Sequence, residues 1–291
     1  MSSMSELRQR LHAIEQTRQI TNAMYLLSTS RMKKAMQNID YNLYYMRRLR
    51  ATVKDILSKT KHSELHNRFI EQQFEGNRLY IVVTADKGMC GEYNSDIVNL
   101  AMEKIKDDTD PIIASLGSVG NDMFIKAGIE PDFMWYDVLQ HPSIHTSEII
   151  ANTLIELYIK HSVNEAYVIY TEYESSAVQR AVCKRLLPLL RRDFLDLDYE
   201  YNYKAQMIFE PTVDEFFLKM VPQYVTGFMY DVFMQSAASE NAARMAAMQS
   251  ATENADKMIV SLSAEINAVR QLAITNEIIE IAAASETPGA V

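Results

Sequence analysis

The chain has 291 residues, 48% of them hydrophobic, which suffices for a buried core and excludes a disordered polypeptide. Two cysteines, Cys90 and Cys183, are too few for a disulfide framework, and neither lies in a CxxC or Cys/His cluster with metal spacing, so a reducing compartment is expected. The net charge of −9 hides an asymmetry: Ser5 to Lys61 carries 12 Lys/Arg against 4 Asp/Glu, leaving 17 against 34 elsewhere. A basic rod of this kind suits nucleic acid, anionic lipid or an acidic protein surface, or is simply a solvated helix face. No apolar run approaches 18 residues and no signal-peptide core follows Met1, so a soluble chain without a membrane span is expected.

Residues 1–75 lack glycine and proline, and from Leu7 apolar or small residues step by four and three: Leu7, Leu11, Ile14, Arg18, Thr21, Tyr25, Ser28, Met32, Ala35, Ile39, Asn42, Met46, Leu49, Val53 and Ile56. A 3.5-residue period sustained this long predicts one half of a coiled coil. Its seam turns polar at Arg18, Thr21, Tyr25 and Ser28, which suggests contacts with something besides a partner helix.

Punctuation changes at Gly76. Six of the eight glycines and five of the seven prolines fall between Gly76 and Pro211, which marks this stretch as the globular part. Strands are expected at Leu79–Thr84, Pro111–Leu116, Ala166–Tyr173 and Ala205–Phe209, and helices at Asn94–Lys106, Ser118–Ala127 and Ser143–His161. Strands alternating with helices predict an α/β sheet covered by helices. Ser176–Leu190 is ambiguous: Val178, Val182 and Leu186 fit a helix, while Ala177–Val182 also fits an edge strand.

Val213–Met220 reads as helical, with Pro222 either kinking that helix or opening a new one. Phe228 to Thr287 again lacks glycine and proline; as one helix it would run roughly 90 Å. Its seam, Met248, Thr252, Ala255, Ile259, Leu262, Ile266, Val269 and Ala273, has the same period as the opening helix. The expected fold is mixed α and β: a long antiparallel coiled coil of the two terminal helices (1–75 and 212–291) with an inserted Rossmann-like α/β domain (76–211).

The sharpest local motif is Val82 to Asn94, a strand, a turn with Gly88 and Gly91, and a helix start. Helix amino termini bind phosphate, but the spacing is GxxG, neither GxGxxG nor GxxxxGK[ST], and no ribose-binding acid closes the next strand. A structural turn is the expectation. His62 and His66, with Glu64 between them, form the one metal-like pair among six histidines and read as solvated surface. Met245, Met248 and Met258 read as adaptable packing. No catalytic, cofactor-binding or metal-binding residue is expected.

Ala238 to Met248, Ala251 to Ala255 and Arg270 to Ile278 resemble the gamma subunit of the F-type rotary ATP synthase, of the bacterial type. Ile20 to Met24, Ser30 to Ala35 and the Thr84 to Asn94 turn resemble the same family in matching order, so the resemblance runs the full chain. It implies a non-catalytic central rotor shaft that couples ion flow through a membrane ring to ATP synthesis or hydrolysis in a hexamer of alpha and beta subunits. The implied partners are those subunits, the epsilon subunit and the membrane c-ring, with no nucleic acid and no small-molecule substrate. The implied location is the cytoplasmic face of the bacterial inner membrane, as a peripheral protein. By position, Arg270 and Gln271, with Thr275 and Glu277, match the family's catch contact with a beta-subunit loop. Met24, Arg31, Lys33, Lys34 and Arg244 match further contacts with the alpha/beta sleeve, and Phe209 and Glu210 match the foot on the membrane ring. Asn22 stands where the family usually has Lys and Glu92 where it has Gly; the second argues further against a phosphate cradle. The cysteine-bearing insertion of the chloroplast kind is missing, so thiol control is not expected. Two other classes fit parts of the chain: a basic coiled-coil RNA-binding or adaptor protein, and an α/β nucleotide-binding enzyme with helical extensions.

Overall fold

The computed structural model describes residues 4–59, 67–71, 76–160, 163–195 and 212–285, the side chains of 283–285 excepted. The expected strand at 205–209, His62, His66, Phe209 and Glu210 lie outside the described residues. The elements are α1 (Met4–Lys59), β1 (Asn77–Val83), α2 (Tyr93–Ile105), β2 (Ile112–Leu116), α3 (Ser118–Lys126), β3 (Phe133–Trp135), α4 (Ile144–Lys160), β4 (Val163–Tyr173), β5 (Gln179–Leu187), a 3-10 turn (Arg191–Phe194) and α5 (Val213–Ser285). They group into two compact units, Ser28–Arg244 and Met1–Leu27 with Met245–Val291.

In the larger unit the sheet has the order β3-β2-β1-β4-β5. The first four strands are parallel and β5 is antiparallel to β4. β1 and β2 are buried almost throughout because helices cover both faces, which is why they read as continuous apolar runs. On one face Leu79, Ile81, Val83 and Val168 meet α4, the end of α1 and the Phe217 to Phe233 part of α5; on the other Tyr80, Val82, Ile113 and Ile169 meet α2 and Phe124 of α3.

Four details go beyond the sequence reading or settle it. β3 is an additional strand of three residues, too short to show a period. The ambiguous stretch is the edge strand β5, in which Arg180, Lys184 and Arg185 put charge on the open edge. α5 runs unbroken through Pro222. A proline inside a helix costs about 3 kcal/mol, but Phe217, Met220, Val221, Tyr224 and Val225 around it are all buried and hold the helix in place. Gly227 also lies inside α5, where a Cβ would stand 2.8 Å from the Met46 sulfur. Within this unit α1 and α5 are antiparallel: Asn42 donates to the Gly227 carbonyl, while Ala35 packs on Ala237 and Ala238.

In the smaller unit the expected seam is present. Leu7, Thr21, Met248, Ala255 and Leu262 are buried. Thr21 and Thr252 share a hydroxyl hydrogen bond of 2.8 Å, and Arg18 pairs with Asp256, so the two helices again run antiparallel. The seam thins towards the carboxyl end: Ile266 and Val269 are half-buried and Ala273 is exposed.

Candidate functional site

Sequence reading singled out the turn after β1 and the two long helices. The turn is closed on itself. Asn94 accepts a hydrogen bond from the Ala85 amide at 2.9 Å and donates to the Cys90 sulfur at 3.2 Å. Asp86 Oδ1 accepts from the amides of Ser118, 3.2 Å, and Asp137, 3.0 Å, so the one acid at the strand end caps α3. Gly91 has φ 59°, a left-handed turn position that suits glycine.

This arrangement leaves no phosphate cradle. A Cβ on Gly117 would lie 2.2 Å from the Thr84 carbonyl oxygen, and one on Gly120 would lie 2.3 Å from Thr84 Oγ1, so α3 presses directly on the end of β1. The first turn of α2 carries Asp96, with Glu92 at its N-cap. Burial pushes the Asp96 carboxyl above its ordinary pKa and the Glu92 charge adds to the rise. An anion would meet two carboxyl groups there.

In open α/β sheets ligands bind outside the carboxyl ends of the strands, where the winding direction reverses. Here that crevice lies between β1 and β4, and α5 fills it. Ser239 Oγ donates to the Thr171 carbonyl at 3.3 Å, and Tyr93 Oη donates to the Ser236 carbonyl at 3.3 Å. The Arg244 guanidinium donates to the carbonyls of Lys87, 3.0 Å, and Gly88, 3.2 Å, and pairs with Glu240 at 2.6 Å. Burial raises the Glu240 carboxyl despite the Arg244 charge that opposes the rise, and burial also raises the Cys90 thiol, which keeps that sulfur a poor nucleophile.

The helix faces are arranged differently. Arg31, Lys33 and Lys34 are exposed on α1, with Met24 half-buried, and Arg270, Gln271, Thr275 and Glu277 are exposed on α5. Arg244 is set apart from these, only 7% exposed and held inside the chain. Sequence reading did not single out Ser236, Ser239 or Glu240; the available signal was an opposite-charge pair four residues apart in a run of Ala and Ser. Leu272, Ile274, Ile278, Ile279 and Ile281 are 45–70% exposed at the end of α5.

The profile of the family described as ATP synthase matches residues 3–287. A protein of Caldanaerobacter subterraneus named ATP synthase gamma chain is 34% identical over 94% of this chain and 95% of its own length. Its namesake from Acetivibrio thermocellus is 33% identical over 98% and 99% respectively. The chain belongs to the ATP synthase gamma chain family. Solved structures share the fold: a chain of the Euglena gracilis mitochondrial ATP synthase, in an assembly titled OSCP/F1/c-ring, superposes with a TM-score of 0.68 at 14% identity over 99% of this chain and 97% of that one. A chain of the Tetrahymena thermophila mitochondrial ATP synthase central stalk and c-ring gives 0.62 at 22% identity over 80% and 99%. A gamma chain is one subunit of a membrane-bound ATP synthase complex, and no described helix here is long and apolar enough to cross a membrane.

Proposed function

We propose that the chain is the central rotor shaft of a bacterial F-type ATP synthase, itself without catalytic residues, turning inside a hexamer of alpha and beta subunits at the cytoplasmic face of the inner membrane. The observation that carries this reading is the end of α5, where Leu272, Ile274, Ile278, Ile279 and Ile281 face outwards in the free chain. At helical spacing these side chains are spread around the helix, and large apolar side chains exposed on several sides call for a protein sleeve. Its place in a gamma chain points to the alpha/beta hexamer, and the exposed Arg31, Lys33 and Lys34 suit an acidic face of the same sleeve.

A shaft acts on chemically identical sites only by binding their conformations unequally, because a ligand shifts an equilibrium by no more than its differential contacts. The two helices supply that inequality: basic side chains cluster on α1, while the end of α5 exposes large apolar side chains together with Arg270, Gln271, Thr275 and Glu277. Each turn then presents a different face to each beta subunit. Met24, Arg31, Lys33 and Lys34 take the role of sleeve contacts, Arg270 and Gln271 that of the catch with Thr275 and Glu277 behind it, and Phe209 and Glu210 that of the foot on the membrane ring, with the epsilon subunit beside the α/β domain. Arg270→Ala combined with Gln271→Ala is expected to lower ATP-driven ion pumping by the complex reconstituted in vesicles. Unchanged pumping would remove the catch role, and failure of the chain to co-purify with alpha and beta subunits would remove the shaft reading itself.

A further inference from the structure

Between Ser236 and Arg244 α5 is buried on nearly every side, mostly through small residues: Ser236, Ala237, Ala238, Ser239 and Ala242 are buried along with Glu240 and Asn241, and Ala237 and Ala238 pack on Ala35 of α1. Small side chains bring a helix close to its neighbour but interdigitate little, so they resist rotation about the helix axis weakly. Directional bonds supply the resistance here, from Tyr93 to the Ser236 carbonyl, from Ser239 to the Thr171 carbonyl, and from Arg244 to the carbonyls of Lys87 and Gly88. Arg244 has the longest arm of the three, so a given rotation of α5 displaces its guanidinium furthest. Glu240, one turn earlier on the same helix, braces that arm. The seat is also stiff, since the turn beginning at Asp86 is bonded to the start of α3 and to the Asp137 amide. Arg244 is the last residue of α5 in this unit, and from Met245 onward the helix belongs to the other. Within this unit Arg244 is therefore the contact with the α/β body furthest along α5 towards its carboxyl terminus.

We propose that Arg244, braced by Glu240 and seated on the Lys87 and Gly88 carbonyls, is a latch that fixes the rotational phase of α5 on the α/β body: a positioning residue for rotary coupling. The inference rests on the shaft reading above. A planar guanidinium that bonds two carbonyls and a carboxylate at once is not reproduced by an ammonium group, so Arg244→Lys should keep only part of the function. If the latch opens, α5 slips against the sheet under load. Hydrolysis then continues while less of its work reaches the membrane.

The test is the number of ions pumped per ATP hydrolysed by the whole complex in vesicles. Arg244→Met should lower this ratio several-fold with hydrolysis retained, and Arg244→Lys and Glu240→Gln should lower it less. A wild-type ratio in all three overturns the latch; should Arg244→Met fail to assemble, the other two decide. A merely structural role is separated by a bridge. Lys87→Cys with Arg244→Cys, in a Cys90→Ala, Cys183→Ala background, is joined by a short bis-maleimide and compared with the same background carrying neither new thiol. Recovery of the ratio on bridging supports the latch, and a ratio that stays low after bridging overturns it. Failure of the unmodified chain to support any ATP-driven pumping overturns the shaft reading, and this inference with it.

Discussion

The two halves of α5 are one continuous helix in opposite surroundings. From Phe217 to Phe233 its large apolar residues are buried against the sheet and α1, whereas from Leu272 to Ile281 residues of the same kind face outwards. Helical propensity does not account for the contrast, since the buried half carries the poorer helix formers, Pro222 and Gly227 among them. Burial does. Apolar side chains in the first half contribute to the stability of the chain, while those in the second await a partner, and their worth appears on assembly.

The sharpest way to break this comparison is to delete the same kind of contact from each half. Phe233→Ala removes a fully buried ring and should cost about 3–5 kcal/mol in urea unfolding of the isolated chain. Ile278→Ala, at a site 61% exposed, should stay within about 0.5 kcal/mol in the same experiment. In the reconstituted complex Ile278→Ala should weaken retention of the shaft during purification. If both variants lose equal stability as free chains, the contrast drawn between the halves is wrong.

How much of this could be read in advance follows from the same physics. β1, β2 and β4, with α2 to α4 between and beside them, were legible because buried parallel strands leave apolar runs and their helices leave a different period. The coiled-coil seam was legible for the same reason, although the period alone does not set which seam residues meet, as Thr21 and Thr252 do. Pro222 misled because local chemistry favours a break there, while the burial of Val221 and Val225 on either side outweighs it. The site was least legible where tertiary packing changes the meaning of a residue. On paper Glu240 and Arg244 look like any surface pair four residues apart; only the sheet beneath them makes the pair a buried one. The exposed contacts assigned to Arg270, Gln271, Thr275 and Glu277 came from resemblance; the bond from the Thr275 hydroxyl to the Gln271 carbonyl is an ordinary one within the helix and points to no partner.

A second, smaller effect sharpens the contrast from within the buried half. Asp231 lies among Gln235 on its own helix, Asn42 on α1, Lys184 on β5 and Glu172 on β4; burial raises its carboxyl, and the Gln235 and Asn42 hydrogen bonds oppose that rise only in part. A raised folded-state pKa means that the folded chain holds the proton more tightly than the unfolded one. Its contribution to stability is therefore complete below the ordinary aspartate value of about 3.9 and is lost as pH rises through the raised value. Asp231→Asn should consequently be more stable than the parent at pH 7 and lose that advantage towards pH 4. Urea midpoints compared across that range would show it, and parallel pH profiles for the two proteins would refute it.

The smallest effect is expected in the other unit, at the ion pair between Arg18 and Asp256, whose side chains are 47% and 50% exposed. Exposed pairs are screened by water and pay side-chain entropy to hold one geometry, so Arg18→Ala should cost less than about 1 kcal/mol and the loss should shrink further with added salt. Thr21 and Thr252, joined by a part-buried hydroxyl bond of 2.8 Å, hold the same register without that salt dependence. Thr252→Val should therefore weaken the pairing of the two helices by an amount that stays the same as salt is added, read by urea unfolding at low and high salt beside Arg18→Ala. A loss in Thr252→Val that shrinks with salt as that of Arg18→Ala does would show that the exposed charges, and not the buried seam, set how these helices meet.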